Sequence, residues 1–142
     1  MALSVRLSAL VALSLTLSTE AFAASTIMVK EDGEAGGPMT ISLDHASVPA
    51  GDVIFKVHND ALSEEHEMVL VKLKSADETV PVNAAKHRVD ESKLKSLGEV
   101  ADLKAGKDGQ LKVKLAPGNY LLLCNIKGHF EAGMKAKLTV TP

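Results

Sequence analysis

YLLLCNIKGHFEAGMKAKLTV, residues 120–140, is the stretch whose reading decides the fold. In its second half Met134, Ala136, Leu138 and Val140 alternate with Lys135, Lys137 and Thr139. A period of two marks a strand with one face buried and one in water. In its first half, YLLLCNI (120–126) is apolar almost without interruption, as in a central strand covered on both faces. The step from Cys124 to Met134 carries Gly128 and Gly133 and follows neither period. The segment therefore reads as strand, loop, strand, with the loop at one end of a sheet.

The same periodicity extends outward. Leu111, Val113 and Leu115 alternate with Lys112 and Lys114; Val53, Phe55 and Val57 share a face; Met39, Ile41 and Leu43 alternate with Thr40, Ser42 and Asp44. STIMVK (25–30) reads as a first strand, and HEMVLVKL (66–73) as a second continuously apolar one. Turn chemistry separates these runs in EDGEAGGP (31–38), VPAGD (48–52) and APGN (116–119). About seven to eight short strands so spaced give an all-β class, a sandwich or barrel. Residues 75–109 are the exception, a polar excursion across one side with a possible short helix over Asp90–Lys95. Neither an internal repeat nor a low-complexity tail is visible.

The first 23 residues read as a leader rather than as part of the domain. Arg6 precedes an apolar run from about Leu7 to Leu17, and Ala21-Phe22-Ala23 supplies a small-x-small cleavage pattern. A membrane span needs roughly 20 apolar residues, and this run is shorter and rich in Ser and Thr. The expectation is a cleaved signal peptide at 1–23, a mature domain at 24–142, and a periplasmic or otherwise exported, soluble and monomeric product without a membrane span. The formal net charge is −2, and loss of Arg6 with Glu20 leaves it unchanged. That argues against nucleic-acid partners, which call for a basic face. The aromatics beyond the leader are Phe55, Tyr120 and Phe130, so the core must be built from aliphatic side chains and Met. Met28, Met39 and Met68 are expected in it.

Cys124 is the only cysteine, so no internal disulfide can form. An exposed thiol outside the cytoplasm oxidises or cross-links. Taken alone, Cys124 reads as a small buried hydrophobe, a lone His as a surface residue, and a Met in an alternating strand as core. Together, Cys124, His129 and Met134 on one loop combine thiolate, imidazole and thioether, a set that suits copper. Structural zinc calls for four Cys or His ligands, and iron–sulfur clusters for several cysteines. A blue-copper centre adds a second His, giving a trigonal His₂Cys plane with a weak axial Met. His66 opens an apolar strand directly after the turn NDALSEE and is the favoured candidate. His58, near the end of strand 52–58, is the rival, whereas His45 and His87 lie in polar, turn-like surroundings. Glu64, Glu65 and Glu67 around His66 read as a solvated acidic run. Asn125 could hydrogen-bond across the loop, and Tyr120 reads as core or as a hydroxyl clamp onto backbone.

From VPAGDVIFKVHND (48–60) through HEMVLVK (66–72) to GEVADLKAGKDGQLKVKLAPGNYLLLCNIKGHFEAGMKAKLTV (98–140), the chain resembles the cupredoxins, the small blue copper proteins related to plastocyanin, azurin and sulfocyanin. The PGxY at 117–120, the Cys-x4-His-x4-Met spacing and the Gly133-Met134 step carry the likeness. Lys127 stands where relatives often have Pro. The resemblance implies a Greek-key β-sandwich holding one type 1 copper, with His66, Cys124, His129 and Met134 as ligands. It also implies a one-electron carrier, not an enzyme. His129 lies mid-loop beside the small or apolar, uncharged Gly128, Phe130 and Ala132, so redox partners are expected to meet it over those residues. A periplasmic copper-holding or copper-delivery protein would use the same ligands. A Cys124–His129 nucleophilic enzyme would need an orienting third residue and would leave Met134 idle. A metal-free sandwich would use none of them.

Overall fold

Why the chain folds into two sheets follows from its alternating rows. In β1 (Ser25–Asp32) Ile27, Val29 and Glu31 point inward. In β4 (Gly51–Asn59) Val53, Phe55, Val57 and Asn59 do the same. With β2 (Thr40–Leu43) and, beyond the short β3 (Ser47–Pro49), a later strand β9 (Asp108–Leu115), they form a four-stranded sheet in the order β2-β1-β4-β9. The other strands are β5 (His66–Leu73), the short hairpin β6 (Val82–Asn83) and β7 (Arg88–Val89), then β8 (Lys95–Leu103), β10 (Gly118–Leu123) and β11 (Lys135–Thr141). The second sheet has five strands in the order β3-β11-β10-β5-β8. β1 pairs parallel with β4 and β11 parallel with β3, while the other pairings are antiparallel. This computed structural model describes residues 23–142. The leader expected at 1–23 lies, apart from Ala23, outside the described residues, and no helix among the described residues is long and apolar enough to cross a membrane.

The main core lies between the sheets, where Ile27, Val29, Phe55, Met68, Leu70, Leu122 and Leu138 are buried. Burying such side chains contributes about 1.5–3 kcal/mol each. A second cluster covers the outer face of the five-stranded sheet: Val69, Val71, Leu73, Leu121 and Leu123 pack with Val89 and Phe130. That cluster explains why β5 and β10 lack alternation. The hydroxyl of Tyr120 donates to the Ala116 carbonyl at 2.6 Å, the clamp expected at this strand. Met39 and Met68 are core, but Met28 faces outward and is half exposed.

The excursion differs from its expected form. In place of a helix over 90–95 there is a single 3-10 turn, Glu91–Lys93, and residues 95–103 form the edge strand β8. Only Val100 and Leu103 of β8 are buried, and its register against β5 shifts between His66/Met68 and Leu70/Val71. An edge strand with two register breaks carries no clean period. Among the described residues the count is accordingly eleven strands rather than seven or eight, three of them only two or three residues long.

Candidate metal centre

β10 runs antiparallel to both β5 and β11, so the start of β5, the end of β10 and the start of β11 meet at one end of the sandwich. His66 is the first residue of β5, Cys124 follows the last of β10, and Met134 precedes the first of β11. All three are fully buried, and His129 is nearly so. Among the described residues His66, Cys124 and His129 form a group whose ligand atoms all lie within 4.8 Å of one another. His66 Nδ1 is 3.2 Å from His129 Nδ1, and Cys124 Sγ is 3.4 Å from the same atom. The imidazole rings meet edge to face at 5.1 Å between centroids.

The loop from 124 to 134 holds its own shape. Cys124 N donates to Met134 O and Met134 N to His129 O, each at 3.1 Å, and His129 N donates to Ile126 O at 3.0 Å. Gly133 adopts φ 111°, and a Cβ there would sit 3.0 Å from the Met39 carbonyl, so a side chain would press the loop off the backbone just before β2. Met134 stands beside the cluster, tied through its backbone to both His129 and Cys124.

The tautomer of His66 follows from its outer partner. Its Nε2 lies 3.2 Å from the Gly33 carbonyl, which can only accept, so Nε2 carries the proton and Nδ1 presents a lone pair inward. Gly33 sits in the turn after β1 at φ 130°, where a Cβ would come within 2.8 Å of the Met39 backbone. Glu34 steadies the neighbouring loop: its carboxylate accepts from Leu62 N at 2.6 Å and from Ser63 Oγ at 2.7 Å. Those bonds, led by Ser63, hold its acid below the usual range.

Burial lowers the proton affinity of both imidazoles, and for His129 the neighbouring His66 lowers it further. Both are therefore neutral near pH 7. Burial pushes the Cys124 thiol up to about 12, so without a cation the pocket holds a thiol rather than a thiolate. A divalent ion reverses that preference, since a coordinating thiol is deprotonated outright. The donor set of two neutral imidazoles and one thiolate is that of a trigonal copper plane. With metal–nitrogen bonds of about 2.0–2.1 Å and a metal–sulfur bond of about 2.3 Å, such a plane spaces its donors by roughly 3.5–3.8 Å. The observed 3.2 and 3.4 Å come within a few tenths of that. The residues fit the ion.

The other histidines lie elsewhere. His58 is on the outer face of β4, its Nδ1 2.8 Å from Asp108. His45 pairs with Asp44, and His87 with Glu131. Three surroundings depart from the sequence reading. Glu67 is not a solvated acid: it is partly buried, accepts from Asn125 N at 3.0 Å, and burial raises its acid. Asn125 reaches out of the loop rather than across it, pairing with Val89 N at 2.6 Å and Val89 O at 3.0 Å. Phe130 is buried in the second cluster beneath Lys135 Nζ, 4.4 Å from its ring centre, and offers no open contact surface. The Gly33 carbonyl was not foreseen, because a main-chain group has no signature in sequence.

A two-sheet sandwich closed at one end by a His₂Cys cluster defines a cupredoxin carrying one type 1 copper. The model of copper binding proteins of the plastocyanin/azurin family matches residues 27–141, and the chain belongs to that family. Auracyanin-B of Chloroflexus aurantiacus is 37% identical over 106 residues, which cover 68% of this chain. The chain spans 45% of the length of that relative. The structure is similar to that of dithionite-reduced auracyanin from Roseiflexus castenholzii, with a TM-score of 0.59 at 23% identity over 85% of this chain and 100% of the other. It is also similar to auracyanin B, with a TM-score of 0.58 at 29% identity over 87% and 94% of the two chains.

Proposed function

We propose that this protein is a one-electron carrier whose copper would be held by His66, Cys124 and His129, with Met134 as a thioether ligand. One observation carries the reading: two buried imidazoles and the single thiol converge on one point in a family of copper proteins. When bound, copper supplies the one-electron Cu(I)/Cu(II) couple. The chain fixes the donors. Gly33 orients His66, the backbone bonds among residues 124, 129 and 134 hold the loop, and burial keeps water from the sulfur. Donors held so rigidly need little rearrangement between oxidation states, which keeps the barrier to electron transfer low. Redox partners meet the protein at the end bearing His129, beside Gly128 and Ala132. Leu62, 91% exposed on the loop before His66, adds an apolar contact there. We place the mature domain at 24–142, in the periplasm or otherwise outside the cytoplasm, after removal of residues 1–23.

The test is optical and redox in one. Cu(II) added to the purified protein should give an intense visible thiolate-to-copper band that is absent in Cys124→Ser. A one-electron reductant should bleach it and an oxidant restore it, with copper retained throughout. Weak absorption in the loaded wild type would refute the ligand set. Loss of the ion to a competing acceptor on reduction would favour copper delivery instead.

A further inference from the structure

Glu31 is a buried acid that the metal chemistry above does not use. It continues the inward row of β1 behind Ile27 and Val29 and has 0% exposure. Neither carboxyl oxygen has a hydrogen-bond partner, and among the described residues no other buried side-chain nitrogen or oxygen is so placed. Its backbone is fixed, since Glu31 O accepts from Asp60 N at 2.7 Å and the residue pairs with Ile41 and Asn59 on the flanking strands. Two residues on, Gly33 touches His66. The carboxyl thus lies in the core at the metal end of the sandwich.

Its electrical surroundings are one-sided. Among the ionisable groups on the elements around it are His66 and Glu67 of β5, Cys124 after β10, His129 of the ligand loop, and Asp60, Glu64 and Glu65 between β4 and β5, Glu65 being paired with Lys104 at 2.9 Å. β2 contributes none, and β4 presents the neutral Asn59. Asp60 turns outward to Lys30 at 2.7 Å. Burial, and next Glu67, push the Glu31 acid up to about 8. The Cys124 thiol is raised chiefly by burial and in smaller part by the charge of Glu31. Among the described residues no basic side chain pairs with Glu31. A cation would enter this end of the core at the cluster of His66, Cys124 and His129.

We propose that Glu31 is the proton-linked residue that sets the potential of the copper centre, gaining a proton when the centre is reduced and losing it when the centre is oxidised. The inference rests on the ligand reading above. An electron from a one-electron reductant removes one positive charge from the cluster. The carboxylate, left near Glu67 and a thiolate, takes a proton from solvent hydronium to become a carboxylic acid: one O–H bond forms on Glu31, one breaks in the hydronium ion, and water is left. Oxidation returns both. The oxidised state is thereby favoured at high pH. Each tenfold difference in the proton affinity of Glu31 between the two states corresponds to 59 mV of potential.

The experiment follows the potential of the copper-loaded protein by spectroelectrochemistry from pH 5 to pH 10. The visible band is read first, because its absence would overturn the ligand set rather than this linkage. In a coloured wild type the potential should fall as pH rises, and in Glu31→Gln it should be flat over the same range with an unchanged band. Glu31→Leu serves as the second variant if Gln does not accumulate. In the oxidised-minus-reduced infrared difference spectrum, a carboxylic-acid carbonyl signal should appear on reduction in the wild type and be missing in the variant. A flat wild-type potential, or a slope that survives the loss of Glu31, overturns the proposal.

Discussion

Removing the buried acid should change how stability depends on pH in the copper-free protein. Its proton affinity is raised from the ordinary 4.5 to about 8, chiefly by burial. The folded protein then keeps a proton that the unfolded chain loses above pH 4.5. Stability is fully present below the unfolded value, falls as pH rises toward 8, and levels off beyond it. At about 1.4 kcal/mol per pH unit, the loss between pH 5 and pH 8 is roughly 4 kcal/mol. That is an upper figure, since relaxation and water entry soften buried charges. Against a typical domain stability of about 5–15 kcal/mol it is still large. Glu31→Gln keeps the shape and cannot titrate, and its buried amide has a cost that does not vary with pH. Urea unfolding of both proteins at pH 5, 6, 7 and 8 isolates the effect, because other titrating groups cancel in the difference. The variant should gain steadily on the wild type, by a few kcal/mol at pH 8. A difference constant across that range would mean that Glu31 is paired or hydrated, and would refute the reasoning.

Two further outcomes follow from the site. His66→Ala should lose the coloured copper site while His58→Ala keeps it, because His58 faces Asp108 on the outside of β4; loss of colour in His58→Ala alone would reverse the assignment. Binding of Cu(II) at pH 7.5 in the Glu31→Gln background should release about one proton per ion, since the thiol is protonated and the lowered proton affinity of both imidazoles leaves them neutral there. An indicator dye in weak buffer reads this directly, and release of none or of two would contradict a protonated thiol beside two neutral imidazoles.

Much of this architecture is legible in the chain because period two survives wherever a strand has one dry face. β1, β4, β9 and β11 show it, and the unbroken apolar runs of β5 and β10 correctly announce a cover on both sides. β8 escapes because its side chains face mostly water and its register slips twice against β5. At the site, residue type and spacing single out Cys124, His129 and Met134, but the Gly33 carbonyl belongs to the backbone and cannot be read. Glu31 is different. Ile27, Val29 and Glu31 are in phase, so a carboxylate sits on the core face in plain view. The turn chemistry of EDGEAGGP, beginning at that same residue, hides it by assigning Glu31 to a loop.

The excursion also answers a question raised by Lys127. A proline at that position would stiffen the ligand loop by fixing its own φ. Lys127 does not, and the loop's neighbours take over. Gly128 N donates to His87 O at 2.8 Å, His87 Nδ1 meets Glu131 at 2.8 Å, and Asn125 exchanges two bonds with Val89 and a third with Glu91 at 2.6 Å. Each such bond contributes about 0.5–1.5 kcal/mol net, and breaking a buried one costs about 1–3 kcal/mol. His87 itself has φ 52°, a conformation a non-glycine residue holds only when its surroundings fix it. The β6–β7 hairpin therefore braces the loop from outside, at both ends of the span between Cys124 and His129. Phe130 packs beneath the joint in the second cluster, which is why it is buried. The polar excursion thus braces the loop that carries Cys124, His129 and Met134.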